Sequence, residues 1–161
     1  MSWSGAQNAQ SYTIGYAKIN TNNYKYIVTT DTKYTLRGLN LGSKYVVAVC
    51  ANNNIGSTAA AVSSPIKVKL KKTTLKASKK GKSTKLSWSK VNTASGYKIY
   101  RATSKNGKYK LIKTVKGNKT FKYNDKKVYK KTRYYYYVKA YATKNKKQYY
   151  SDNSAKKSVK I

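Results

Sequence analysis

Along the chain, apolar and polar residues alternate with a period of two in short runs, and no stretch holds the spacing of about 3.6 residues that marks an amphipathic helix. The runs are rich in Tyr, Val, Ile and Thr and are broken by clusters of Asn, Gly, Ser and Lys, which predicts an all-β sandwich. In the second half the pattern predicts strands near 74–79, 84–89, 96–102, 108–115, 119–124, 133–142 and 148–160, the last of them broken. In the first half only six are predicted, near 1–4, 11–17, 24–29, 33–37, 44–51 and 58–69, with no counterpart of the opening strand at 74–79. No apolar run approaches the roughly 18 residues of a membrane-spanning helix, so no membrane insertion is expected.

The two halves repeat one unit. "SWSGAQNAQSYTIGYA" (2–17) aligns with "SWSKVNTASGYKIYRA" (87–102), and "LNLGSKYVVAVCA" (39–51) with "VYKKTRYYYYVKA" (128–140). The implied domains are 1–70 and 71–161, joined by Lys71, Lys72, Thr73 and Thr74 without a glycine, so limited hinge freedom and an elongated pair are expected. Trp3 and Trp88 are large enough to fill the gap between two sheets. Tyr45 and Tyr134 have the place of a tyrosine corner, ring inside and hydroxyl turned to a backbone carbonyl just upstream. These four are read as structural core. Asp31 and Asp125 are read as Asx turns.

The tryptophan in the second strand, "GYKIYR" in the third, and Leu39 or Val128 six residues before Tyr45 or Tyr134 resemble fibronectin type III modules over nearly the whole chain. The second copy, with "SGYKIYRATSKNGKYKLIKTV", is particularly similar to lysine-rich type III modules on surface proteins of Gram-positive bacteria. Both copies lack the proline that the family often carries before the corner, having Leu41 and Lys130 there. The resemblance implies two immunoglobulin-like sandwiches in tandem, the first without its opening strand. It further implies a monomeric segment of a longer extracellular chain, on a bacterial surface or secreted, with Met1 in the place that Leu86 holds in the second copy.

With Tyr134 inside, alternation turns Tyr136, Val138 and Ala140 inward and Tyr135, Tyr137, Lys139 and Tyr141 outward. In a type III sandwich the third strand lies alongside, adding Lys98 and Tyr100 to the same face. The outcome is a candidate ligand-binding platform: tyrosine offers rigid amphipathic contact area, and lysine attracts carboxylates or phosphates. The same pattern also serves a sheet that is merely stabilised by cross-strand aromatic and lysine pairs. The matching face of the first copy carries Val46, Ala48, Cys50, Thr13, Gly15 and Ala17, small and uncharged.

Charge narrows the partners. The chain has 36 Lys and Arg, 3 Asp and Glu and no His, a formal net charge of +33. Residues 1–70 hold seven basic groups and Asp31, whereas residues 71–161 hold 29 basic groups and only Asp125 and Asp152. An anion-binding surface therefore belongs to the second copy. Its candidate lysine clusters are 71, 72, 79, 80 and 82, and 144, 146, 147, 156 and 157. Only Arg37, Arg101 and Arg133 are arginine, and no RNA or DNA motif occurs, which argues against nucleic acid.

Without histidine or glutamate, and with one cysteine and three scattered aspartates, the chain cannot assemble a triad, a carboxylate pair or the usual zinc site. No enzyme activity, cofactor or metal is expected. What remains is a non-catalytic adhesion and spacer segment that attaches electrostatically to anionic cell-wall polymers. The alternative is a module that binds a host protein, such as a matrix protein or an immunoglobulin, through the tyrosine face, the loops or the open edge.

Overall fold

The computed structural model describes residues 1–161 and divides them into two compact units, Met1–Val68 and Lys69–Ile161. Both are all-β, with no helix and hence none long and apolar enough to cross a membrane. In the first unit, β1 (Ser11–Lys18), β2 (Lys25–Thr29), β3 (Lys44–Asn52), β4 (Ala61–Val62) and β5 (Ile66–Lys67) form one antiparallel sheet. Its order is β2-β1-β3-β4, with β5 also on β3. The strands predicted at 1–4 and 33–37 are reduced to a single antiparallel bridge, Ser2 to Lys33. Flanking it, Trp3 N–H donates to Thr32 O and Tyr34 N–H to Met1 O, each at 3.0 Å. Two strands alone make a marginal layer.

The second unit has both layers. β6 (Leu75–Lys80), β7 (Ser83–Trp88) and β10 (Lys122–Asp125) form one sheet in the order β10-β7-β6. β8 (Gly96–Ala102), β9 (Lys110–Lys116), β11 (Arg133–Lys144) and β12 (Lys147–Tyr150) form the other in the order β12-β11-β8-β9, with β13 (Lys157–Lys160) also on β11. Asn145 and Lys146, both at left-handed φ of 50° and 60°, turn β11 into β12, the conformation that two-residue hairpins favour.

Between these sheets, Leu86, Tyr97, Ile99, Tyr136, Val138 and Ala140 are fully buried. Trp88 packs against Tyr97 with centroids 5.4 Å apart, and Trp3 against Tyr12 at 5.5 Å. The hydroxyls of Tyr97 and Tyr12 accept from Val91 N–H at 2.8 Å and Ala6 N–H at 3.1 Å, so the same device recurs in both units. Tyr136 donates to Asp125 Oδ2 at 3.0 Å, and the Arg101 guanidinium donates to the same oxygen at 2.8 Å. Asp125 Oδ1 accepts from Lys127 N–H at 3.1 Å, completing the expected Asx turn. At Asp31 the side-chain acceptor is instead Thr29, whose hydroxyl receives the Asp31 N–H.

Two expectations need correction. The tyrosine-corner hydroxyls accept backbone N–H groups rather than donating to carbonyls: Tyr134 from Tyr129 at 3.0 Å and Tyr45 from Asn40 at 3.3 Å. Trp3 and Tyr45 are only partly buried, whereas Trp88 and Tyr134 are core. The cause is the thin second layer of the first unit, which also leaves Ile66 51 % exposed where its counterpart Val159 is 7 % exposed. Residues 70–74, expected to have limited hinge freedom, belong to the second unit. Leu70 pairs with Ser151, and the Thr73 hydroxyl, itself buried, donates to Ser89 O at 2.6 Å, so this stretch is built into the second unit.

Candidate functional site

β8 and β11 set the candidate face by their register, which pairs Tyr100 with Tyr137, Lys98 with Lys139 and Gly96 with Tyr141. The alternate positions, Tyr97, Ile99, Tyr136 and Val138, have no exposed surface, so the strands cannot slip by one residue without burying lysine. Directly opposed ammonium groups repel, yet the fold places Lys98 and Lys139 side by side. Tyrosines soften the repulsion. Lys98 Nζ lies 5.0 Å from the Tyr150 ring centroid and 5.7 Å from that of Tyr141, and Lys139 Nζ lies 5.9 Å from Tyr150. Lys98 also donates to the Tyr150 hydroxyl at 2.9 Å and to Gln148 Oε1 at 3.2 Å. The bond to Tyr150 raises its pKa above the ordinary lysine value against a smaller lowering by burial, so it stays charged.

One residue pair further along, Tyr100 and Tyr137 stack at 4.7 Å with ring planes 19° apart. Tyr109 follows at 4.9 Å from Tyr137, and Lys156 Nζ closes the row 5.2 Å from the Tyr109 centroid. Burial, and next the neighbouring tyrosines, raise the Tyr137 pKa, which keeps that hydroxyl a donor at neutral pH. Because the ring faces cover one another, the surface shows hydroxyls and ammonium groups to solvent, a donor set suited to oxyanions rather than to flat stacking ligands.

No carboxylate forms an ion pair with this set, although Lys69 and, less strongly, Lys139 hold the Asp152 carboxyl below its ordinary pKa. Asp125 is buried against Arg101, and Asp152 pairs with Lys69 at 2.8 Å. Of the predicted residues, Lys98, Tyr100, Tyr135, Tyr137 and Lys139 are half-buried on the face. Tyr141 is a correction: it is only 7 % exposed, because Gly96 opposite lacks a side chain and the Tyr141 ring folds across it. An ideal Cβ on Gly96 would lie 2.7 Å from the Tyr141 hydroxyl. Tyr150 takes the expected place of Tyr141 beside the lysines. It, Tyr109 and Gln148 are residues that the sequence pattern does not place on this face, whereas Lys156 belongs to a predicted lysine cluster. The predicted lysine clusters are exposed and, except for Lys156, contact none of these tyrosines of the face.

In the first unit the corresponding positions are Thr13 paired with Cys50 and Gly15 paired with Ala48. Tyr26 lies over Gly15, Val28 pairs with Thr13 and Val62 with Ala48, and all three are more than half exposed. Ala17, expected on this face, is instead 2 % exposed.

Residues 1–69 match the family model described as Fibronectin type III domain. A two-domain fibronectin type III segment from chicken tenascin is 14 % identical, with 98 % of this chain and 87 % of that chain covered at a TM-score of 0.51, a likeness of fold. A Fn3-like protein from Clostridium thermocellum is 30 % identical over 53 % of this chain and 85 % of that one, at a TM-score of 0.45. A pectate lyase from Erwinia chrysanthemi is 23 % identical at a TM-score of 0.48, this chain covering 28 % of it. No curated protein matches the chain in sequence.

Proposed function

We propose that this chain, whose two units carry the fibronectin type III fold, is a non-catalytic adhesion and spacer segment of a bacterial surface or secreted protein, and that its second unit attaches to an anionic polymer of the cell envelope. The observation that carries this reading is the pairing of Lys98 with Lys139 on a face where neither lysine forms an ion pair with Asp125 or Asp152. A like-charge pair that no ion pair compensates costs stability, and a bound anion would supply the missing charge. Hydroxyl donors from Tyr100 and Tyr137 would then grip the oxygens of a phosphate or carboxylate.

The test is retention of the protein on immobilised teichoic acid at physiological salt. K98Q/K139Q is expected to bind about tenfold more weakly, as two exposed charge contacts at roughly 0.7 kcal/mol each imply. Affinity should also fall as salt rises. Unchanged affinity in this variant would reject the assignment. Retention of a serum protein instead, insensitive to moderate salt and lost on Tyr135→Ala or Tyr137→Ala, would favour recognition of a host protein.

A further inference from the structure

The other sheet of the second unit presents a second cationic face of different chemistry. In β6, β7 and β10 the residues Leu75, Thr84, Leu86, Trp88 and Asp125 are buried, so the intervening positions point to solvent from the opposite side of the sandwich. The register puts Lys76 and Lys122 on either side of Ser87, and puts Lys85 one residue pair away between Ser78 and Asn124. The three lysines are exposed, none forms an ion pair, and none lies over an aromatic ring. Strands about 4.8 Å apart and a step of about 6.7 Å between like-facing residues set the three lysine backbones at the corners of a triangle about 8–10 Å on a side, with the two serines among them, a span that the long lysine side chains close around one phosphate group.

We infer that the second unit is bivalent: it binds a polyanion on each side of the sandwich and so joins two polymer strands. This rests on the reading of the Lys98 and Lys139 face given above. The two faces look in opposite directions across sheets packed about 10 Å apart, with side chains beyond. That separation exceeds the screening length of about 8 Å at physiological salt. A strand held on one face therefore neither neutralises the lysines of the other nor repels a second strand. Each face has its own donors, aromatic hydroxyls on one and serine hydroxyls on the other, so neither depends on the other for its geometry.

The experiment mixes the full chain with long-chain inorganic polyphosphate at physiological salt and follows light scattering as the ratio is varied. Cross-linking gives a maximum near charge equivalence and redissolution with excess polymer. K76Q/K85Q/K122Q and K98Q/K139Q should each still bind the polymer but lose at least fivefold of the peak scattering. K119Q/K130Q/K131Q, which removes three exposed loop lysines, should scatter like the parent. If K76Q/K85Q/K122Q scatters like the parent while K98Q/K139Q does not, the second face adds nothing and the inference falls, with the first site intact. If K98Q/K139Q binds and scatters like the parent, the proposed function falls. Equal losses in all three variants would leave net charge as the sole cause, and complete loss of binding in either single-face variant would leave one site; both overturn bivalence.

Discussion

At matching points of the two units the same backbone carries opposite chemistry. Where the second unit pairs Lys98 with Lys139 and Tyr100 with Tyr137, the first pairs Thr13 with Cys50 and Gly15 with Ala48. Beneath these faces the buried positions agree: Ile14 answers Ile99, and Tyr12 answers Tyr97. The fold thus constrains one side of each strand and leaves the other free to diverge, which is why shared architecture says little about shared binding. The units differ again in their second layer, complete around Trp88 and reduced to a bridge beside Trp3.

The sharpest way to break this comparison is to remove both indoles. Trp88→Ala should cost about 3–5 kcal/mol, as for a buried aromatic. Trp3→Ala, where the ring is only partly buried, should cost about half as much. Urea unfolding followed by tyrosine and tryptophan fluorescence resolves both, and equal losses would contradict the difference in burial.

Next in size is a graft. Placing the eleven residues Leu75–Lys85, "LKASKKGKSTK", ahead of Met1 supplies the strand and turn that precede Leu86. It should stabilise the first unit by about 2 kcal/mol, the worth of covering one large aliphatic side chain such as Ile66, and shift Trp3 emission to the blue. No change in either would show that the open flank is not the cause of the exposure.

Alkaline titration separates the units further. Burial, above all, raises the pKa of Tyr136 well beyond the usual tyrosine value, and Tyr109, Tyr123 and Tyr137 are raised for the same leading reason. A raised folded pKa means that the folded chain holds these protons more tightly than the unfolded one. Their stabilisation is therefore complete below a pH of about 10 and is lost as pH rises through the folded values. For Tyr136 the slope is about 1.4 kcal/mol per pH unit. Unfolding midpoints of the second unit between pH 9 and 12 should fall accordingly, and Tyr136→Phe should flatten the curve.

The smallest effect tests the corners. Tyr134→Phe should cost about 1 kcal/mol by leaving Tyr129 N–H without its acceptor. Tyr45→Phe, whose bond is longer and exposed, should cost less than half of that. A double-denaturation profile in guanidinium reads both, and a larger loss at Tyr45 would reverse the assignment of the tighter corner.

The all-β class, the repeat and the inward or outward direction of Tyr134 to Ala140 were legible because a strand has a strict period of two. The two fully formed layers of the second unit follow from the same alternation. Tyr141 was misread because alternation reports direction and not cover. Gly96, lying opposite in a strand distant in sequence, makes the hollow into which that ring folds. Tyr150 was missed for a related reason: its place beside Lys98 depends on the Asn145–Lys146 turn, where a lysine stands at a position that usually signals glycine. The strands at 1–4 and 33–37 shrink to one bridge because the opening strand that the pattern already lacks is not there to hold them, and alternation does not report how far two strands alone can pair. The limited hinge freedom expected of 71–74 came from its shortness and lack of glycine, whereas the hydroxyl bond from Thr73 to Ser89 leaves no trace in hydropathy.

Leu70 runs parallel to Ser151 where the second unit begins, with Lys69 and Asp152 joined beside it. Tension that enters the unit at Lys69 and leaves at Ile161 draws such parallel partners past each other along their length instead of peeling them apart one bond at a time. Under such a load the bridge at the entry of the second unit is sheared ahead of the sheets that carry its lysines.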